Sequence, residues 1–402
     1  MSFNIQLHKE LTQVTTRQDT ALGIMKWGLD NSFPQTLKNL IEQSPSAKPA
    51  VSRTAKFYKG SGFIGEDTVV SPYGLTLKQV VSIIADDYAT FEAFAIHCNF
   101  NIKGQPVSIT PMRIAELRFN EFDELNYASK IGYHENFGRN SEVQKTITNT
   151  VTAGKIRWID RFNPGVAIEQ IMLLGSGEET DAKRLTKGIG RYRGQLLYHS
   201  ESGHSSYPIP PLQAPINFVL SDVENSILVR KETATGFMNS YLLKSSMDSE
   251  DPTLIALELA IDEAQGARGS GKIITLSGLS PEEVNSTLLE EIGGGGAGSR
   301  GSIIESAADA YALAQRVING AYLIPPILAG ADQKTGFSSA DLKEAYLVFN
   351  TITQGGRDVI EAELNRILKA SVFNVEPISI RKLKLDEAEM DIENEASKPQ
   401  TT

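Results

Sequence analysis

The stretch Gly266-Ala-Arg-Gly-Ser-Gly271-Lys272 comes nearest to a chemical motif, because its glycines and terminal lysine almost spell a loop that cradles nucleotide phosphates. Such a loop needs Ser or Thr directly after the lysine to hold magnesium, and Ile273 stands there. It also joins a strand to a following helix. Here Leu254, Leu257 and Ile261, opened by Pro252, keep helical spacing before it, and Lys272-Ile-Ile-Thr-Leu276 after it reads as a strand by its branched residues. The order is reversed, so a glycine turn before a strand is the plainer reading.

The other candidate groups are thinner. His199 and His204 are five residues apart in a Gly/Ser-rich turn, which misses the i,i+4 spacing that aims two imidazoles at one metal on a helix. Asp86 and Asp87 are adjacent on a predicted helix, so their carboxylates point different ways and cannot act as a metal-binding pair. Cys98 is the single cysteine, which excludes an internal disulfide and a cysteine zinc site. In Phe94-Ala-Ile-His-Cys98 it reads as a buried structural thiol. There is no Gly-x-Ser-x-Gly elbow and no Cys/His arrangement for nucleophilic catalysis. The sequence therefore predicts no catalytic residues, no metal site and no cofactor. Lys334, in Ala331-Asp-Gln-Lys-Thr335, reads by itself as a solvated loop charge.

The elements that would carry these residues belong to a globular chain. Of 402 residues, 41% are apolar and 22% charged, enough for one large domain or two to three smaller ones. No apolar run approaches the ~18 residues that span a bilayer, and Met1 to Leu11 lacks the apolar stretch of a signal peptide. The net charge of −10 argues against a tight grip on nucleic-acid phosphates, although not against DNA sliding past.

Along the chain, Trp27-Gly-Leu-Asp-Asn31 and Phe33-Pro34 precede a stretch in which Leu37, Leu40 and Ile41 keep helical spacing, ending at Gly60-Ser-Gly62-Phe63. Leu75 to His97 is predicted as one helix on Leu77, Val80, Val81, Ile84, Tyr88 and Phe91. From about 98 to 216 short β-like runs follow, such as Lys155–Ile159 and Gln195–Tyr198, with Ser176 to Arg191 as an exposed loop among them. Tyr207-Pro-Ile-Pro-Pro211 is a stiff connector ended by Pro215. Ser221-Asp-Val-Glu224 has the spacing of a capping box, which predicts a helix with Val223, Ile227, Ala234 and Tyr241 in one stripe. Gly293 to Gly301 reads as flexible.

Ile303 to Tyr322 is predicted as a rod of roughly 30 Å, with Ile304, Ala308, Tyr311, Ile318 and Tyr322 on one face, stopping at Ile324-Pro-Pro326. Gly330 to Phe337 is a loop. A helix from about Ser338 to Thr353, a Gly355-Gly356 interruption and a second helix to Lys369 come next. From Pro377 the chain turns polar, and Glu387, Glu389, Asp391, Glu393 and Glu395 mark an acidic tail predicted to be disordered.

Several of these segments, in this order, resemble the portal family of tailed bacteriophages: Trp27 to Pro34, Leu77 to Asn99, Tyr207 to Tyr241 with Gly236-Phe-Met-Asn239, and above all Ile324-Pro-Pro-Ile-Leu-Ala-Gly330, Thr335-Gly-Phe-Ser-Ser339, Phe349 and Ile360–Asn365. The resemblance implies an α+β portal-type fold. Its parts are a mixed α/β wing (1–216), a stem of two helices (217–241 and 303–325), a small α/β clip (242–302), a channel loop (326–338), a long kinked helix completing the wing (339–375), and little or no crown in 376–402.

It further implies a non-enzymatic ring of about twelve subunits, closed by rotation, at one vertex of a virion capsid. Such a ring is assembled in the cytoplasm of a host bacterium. Double-stranded DNA passes through it during packaging and ejection, and its protein partners are the major capsid protein, the terminase large subunit and a head–tail adaptor. No membrane is involved. Gln333, Lys334, Thr335 and Gly336 become candidate DNA-facing residues, and Pro325, Pro326, Gly330, Gly355 and Gly356 candidate hinge positions. A different ring-forming virion or secretion component, and a P-loop-like nucleotide-binding protein, stay open as alternatives.

Overall fold

In a computed structural model of the chain, residues 16–28, 30–123, 127–137, 153–202, 207–234, 240–244, 288–292, 299–330 and 339–384 are described. They fall into two units, Met1–Val219 with Arg316–Thr402, and Leu220–Gln315. Helices and sheet are segregated as in the α+β class.

The first unit opens with an antiparallel hairpin, β1 (Thr16–Asp19) and β2 (Ile24–Trp27). Helix α1 (Phe33–Gln43) carries Pro34 in its first turn, where a missing N–H costs nothing, and buries Leu37, Leu40 and Ile41 as their spacing predicts. Helix α2 (Ala47–Lys59) follows. Helix α3 (Leu77–Phe91) begins on a capping box in which the Thr76 hydroxyl accepts the Gln79 N–H and the Gln79 side chain accepts the Thr76 N–H. It is shorter than its sequence suggests. Glu92 turns left-handed (φ 53°), and Ala93–Phe100 is strand β3 instead of more helix. Its first four residues, Ala93 to Ile96, are buried on both faces and continue the apolar run of α3, and polar residues enter the alternation only at His97 and Asn99.

Strands β3, β4 (Pro106–Met112), β5 (Leu117–Phe119), β6 (Lys130–Tyr133), β7 (Arg157–Arg161) and β8 (Gln195–Ser200) form one sheet in the order β4-β3-β8-β7-β6-β5. Every pair is antiparallel except β7 with β8. A parallel pair needs a crossover, usually helical. Helices α4 (Ala167–Leu174) and α5 (Asp181–Ile189) supply it, and α5 falls where the sequence suggests the exposed loop Ser176 to Arg191. Gly188 within this stretch, and Gly175 just before it, are packing residues: a Cβ on Gly188 would collide with the Ile171 carbonyl, and one on Gly175 with the Arg184 carbonyl. One face of the sheet buries Phe94, Ile96, Cys98 and Leu197 with Val80, Val81 and Ile84 of α3. Cys98 is fully buried, which pushes its thiol pKa up and leaves it a structural residue.

Helix α6 (Ile216–Ala234) starts five residues before the capping-box sequence, because the Pro215 carbonyl already receives the Phe218 and Val219 N–H groups. Ser221 and Glu224 therefore lie inside the helix. Tyr241 is not on it but in β9 (Ser240–Lys244), which pairs antiparallel with β10 (Leu288–Ile292) in the second unit. The helix expected after Pro252, the strand expected at Lys272 and the phosphate-loop look-alike between them lie outside the described residues. Helix α7 (Ser299–Ala321) returns to the first unit, which ends with α8 (Pro326–Ala329), α9 (Ser339–Ile352) and α10 (Gln354–Ala370). Helix α10 adds Ile360, Leu364, Ile367 and Leu368 to the α3 core. Beyond it, the extended segment to Lys384 is tied down at both edges. Asn365 pairs with the Ile378 backbone, and Arg381 exchanges backbone bonds with Ser61 and Gly62.

Candidate functional site: residues 322–357 and their anchors

Two points of the chain, one on either side of residues 331–338, are held at one turn of α3. On the outgoing side, Tyr322 is buried just past α7 and its hydroxyl donates to the Ala89 carbonyl at 3.0 Å. On the returning side, Gly356 in the first turn of α10 lies against the rings of Tyr58 and Tyr88. Tyr88 and Ala89 are neighbours on α3, so Tyr322 and Gly356 are held at one helical turn, and between them Phe349 of α9 is buried against Phe57 at 4.6 Å.

Pro325 and Pro326 start the short α8, and the Pro325 carbonyl receives the Leu328 and Ala329 N–H groups. Gly330 ends it in the left-handed region (φ 71°), with its N–H on the Pro326 carbonyl. The candidate residues Gln333, Lys334, Thr335 and Gly336 lie outside the described residues. Their frame, from Pro325 to Gly330 and from Ser339 onward, is described.

The interruption between α9 and α10 falls at Thr353, and Gly355 and Gly356 are both helical. Arg357, only 2% exposed, pins this joint. Its guanidinium donates to the Phe57 carbonyl (3.0 Å), the Thr353 hydroxyl (2.9 Å) and the Asn350 carbonyl (2.6 Å). Asn350 in turn bonds the backbone of Leu383. Sequence reading singled out the two glycines and missed Arg357, Asn350, Tyr58 and Tyr322. The available signal was the glycine pair itself, since two helical glycines cost roughly 1 kcal/mol each and call for a packing reason.

Gly356 has that reason and Gly355 does not. A Cβ on Gly356 would press into both tyrosine rings, whereas one on Gly355 meets nothing within 4 Å. Gly356→Ala is therefore expected to destabilise the protein by about 1–3 kcal/mol through overpacking. Gly355→Ala should stabilise it by up to about 1 kcal/mol through helix propensity. Urea denaturation of the two variants checks the opposite signs.

The aromatic anchor is wired into the sheet. The Tyr88 hydroxyl donates to Glu201 at 2.6 Å, and His199 sits between Glu201 (Nε2, 3.3 Å) and Glu363 of α10 (Nδ1, 3.6 Å). Burial lowers the His199 pKa, but its contacts with Glu363 and Glu201 outweigh burial and hold it above the usual imidazole value. Burial, aided by Glu92 and Glu201, pushes Tyr58 up to about 12. His199 is thus a strand residue in a clamp, not part of a surface turn, and His204 lies outside the described residues. Asp86 and Asp87 diverge as expected: Asp86 pairs with Lys59 on the surface, while buried Asp87 accepts the Ile114 N–H. Among the described residues no group of three or more His, Cys, Asp or Glu is placed to hold a metal. What the geometry supplies is a rigid, doubly anchored frame for the 331–338 segment.

No protein-family model matches the chain, and no curated protein does. Among solved structures, it is similar to a chain from the virion of a native gene transfer agent particle (14% identity, TM-score 0.47, covering 91% of this chain and 90% of that one). A chain from the neck of the native particle, computed with C12 symmetry, is similar at 12% identity and TM-score 0.48, with 92% and 91% covered. A phage portal protein of the HK97 family from Corynebacterium diphtheriae is similar at 11% identity and TM-score 0.44, with 88% and 97% covered. At these identities and TM-scores the likeness carries no functional argument.

Proposed function

We propose that the chain is a portal subunit: one copy of a closed ring that forms the DNA channel at a single capsid vertex. The observation that carries the reading is the exposure of apolar side chains on more than one side of α6 and α7. On α7, buried Ala307 and Ala314 mark the inward direction. Tyr311 and Leu313, 38% and 49% exposed, lie about 60° to one side of Ala314 and about 100° to the other at 100° per residue. On α6, Ile227 and Leu228 are exposed at 38% and 42%. Within the second unit the two helices are joined through Asn225, whose amide donates to the Ala307 carbonyl at 2.6 Å.

A helix that is apolar on several sides is normally buried on several sides. A head-to-tail ring supplies that cover, because each subunit has a neighbour on either hand. On this reading α6 and α7 are the stem, 242–302 is the clip, 1–216 with 339–375 is the wing, and the loop 326–338 presents Gln333, Lys334, Thr335 and Gly336 to the channel. The −10 charge of each copy, summed round a ring, gives a bore that repels DNA and lets it slide. Capsid protein, terminase large subunit and head–tail adaptor are the partners this role requires.

Electron microscopy with native mass spectrometry on the purified full-length protein tests the reading. Closed rings of about twelve copies with a pore wider than duplex DNA are expected. A compact dimer with bound nucleotide would overturn it.

A further inference from the structure

On one face of the sheet, between the ends of β3 and β4 and the start of β7, lies an open cleft of about 770 Å3. Arg113, Arg157 and Arg193 line it with the phenols of Tyr73 and Tyr133, and the one acid among them, Glu116, is 3.9 Å from Arg113. Among the described residues neither Arg157 nor Arg193 has an ion-pair partner, and both are exposed. The cleft is therefore an island of positive charge on a chain of net charge −10. Its floor is fixed: His97 Nε2 donates to the Arg193 carbonyl at 2.7 Å, and Gly194 packs so close to the Cys98 carbonyl that no side chain fits there.

The same chain contains a complementary ligand. Glu387, Glu389, Asp391, Glu393 and Glu395 occupy alternate positions, with Ala388, Met390, Ile392 and Asn394 between them and Asp386 before them, and no Lys or Arg falls between 385 and 397. In an extended peptide alternate side chains share one side, spaced roughly 6.7 Å apart. The segment then becomes a ladder of five carboxylates, with Ala388, Met390 and Ile392 at the middle of the opposite row and Asp386 and Asn394 at its ends. It begins directly after Lys384, in the unit that holds the cleft, and its carboxylates lie from about 10 Å (Glu387) to about 37 Å (Glu395) of extended chain beyond that residue.

We propose that the acidic segment 386–395 docks as an extended strand on the Arg113–Arg157–Arg193 cleft of its own chain. Guanidiniums suit carboxylates because they offer planar paired donors. The tether raises the local concentration of the tail and offsets the weakness of each exposed ion pair. A partner presenting acidic groups to the cleft must then displace the tail, which makes it a built-in competitor for this surface.

A fluorescent peptide of residues 385–396 tests this by anisotropy with two full-length chains: wild type, and a variant with Glu387→Gln, Glu389→Gln, Asp391→Asn, Glu393→Gln and Glu395→Gln. The peptide should bind the neutralised chain about tenfold more tightly, because the competing tail no longer fills the cleft. The difference should not depend on protein concentration. Adding Arg157→Glu or, separately, Arg193→Glu should weaken that binding by about tenfold, and raising the salt should weaken it further. Since both arginines are exposed, two independent variants guard against misfolding of either. Equal affinity for the two tails, no detectable binding, or indifference to both arginine changes would overturn the proposal. So would competition that grows with protein concentration, or a duplex DNA oligonucleotide taking the cleft in preference to the peptide. None of these outcomes depends on ring formation.

Discussion

Arg118→Met is expected to remove about 3–5 kcal/mol of stability, a large share of the ~5–15 kcal/mol that holds a typical domain folded. Arg118 is fully buried. Its guanidinium donates to the carbonyls of Asn31 (2.7 Å), Ala115 (2.9 Å) and Leu117 (2.6 Å), and its Nε to the Asn31 side-chain oxygen. It also lies over the rings of Phe137 (5.2 Å) and Trp27 (6.0 Å). Burial pushes its pKa down to about 10, so it is still a cation at neutral pH. Methionine relieves the buried charge but strands several carbonyls, each costing about 1–3 kcal/mol when left without a donor.

Asn31 holds the other end. It sits in the left-handed region (φ 69°), and its side-chain oxygen also accepts the Trp27 N–H at 3.1 Å. Trp27 stacks on Tyr207 at 4.6 Å, whose hydroxyl donates to the Met25 carbonyl and accepts the Phe119 N–H. Asn31→Gly keeps the backbone conformation and removes only the acceptor. Combined with Arg118→Met it should cost clearly less than the sum of the two, a coupling of about 0.5–3 kcal/mol measurable by guanidinium denaturation. Arg118→Lys should recover only part of the loss, because a point charge with three donors cannot span four acceptors set around a plane. Additive costs would mean that the two residues do not act as one lock.

This lock marks where the sequence was readable and where it was not. Trp27 to Pro34 stands out as a motif, but its partner Arg118 is 87 positions away, and no local pattern says that an arginine in Leu117-Arg-Phe119 faces inward. Helix α1 and the start of α3 were legible because one face is buried and the period shows. Strand β3 was not, because Ala93 to Ile96 are buried on both faces and run on from the apolar end of α3. Helix α5 was hidden by charge and by Gly188, which serves close packing on α4, and the start of α6 by a capping sequence that occurs inside a helix already started at Pro215. On α7 the inward positions are Ala307, Ala314 and Ile318, so Ala308 and Tyr311, placed by spacing on the same face, are exposed. Composition cannot separate a stripe that faces the chain's own core from one that awaits a neighbour. The joint at Thr353 was misplaced by two residues because glycine was read as a break, when Gly356 serves the contact with Tyr58 and Tyr88.

The exposed sides of α7 give the proposed ring its sharpest test. Tyr311 and Leu313 are partly exposed in the single chain, so Tyr311→Glu or Leu313→Glu should change the stability of one copy by no more than about 0.5 kcal/mol. In a ring each substitution recurs at every interface, where an unpaired carboxylate taken out of water costs several kcal/mol. Either variant alone should therefore run as single chains in native mass spectrometry while the wild type closes. Mixing the two separates interface types. In a head-to-tail ring Tyr311 and Leu313 serve opposite neighbours, so one intact face of each variant can meet the intact face of the other, and both outer faces of that pair are blocked. The mixture should yield heterodimers that grow no further. If the two residues lay on one self-complementary face, mixing would restore no interface and only single chains would be seen. If each variant alone still formed rings, the stem would not be where the subunits meet.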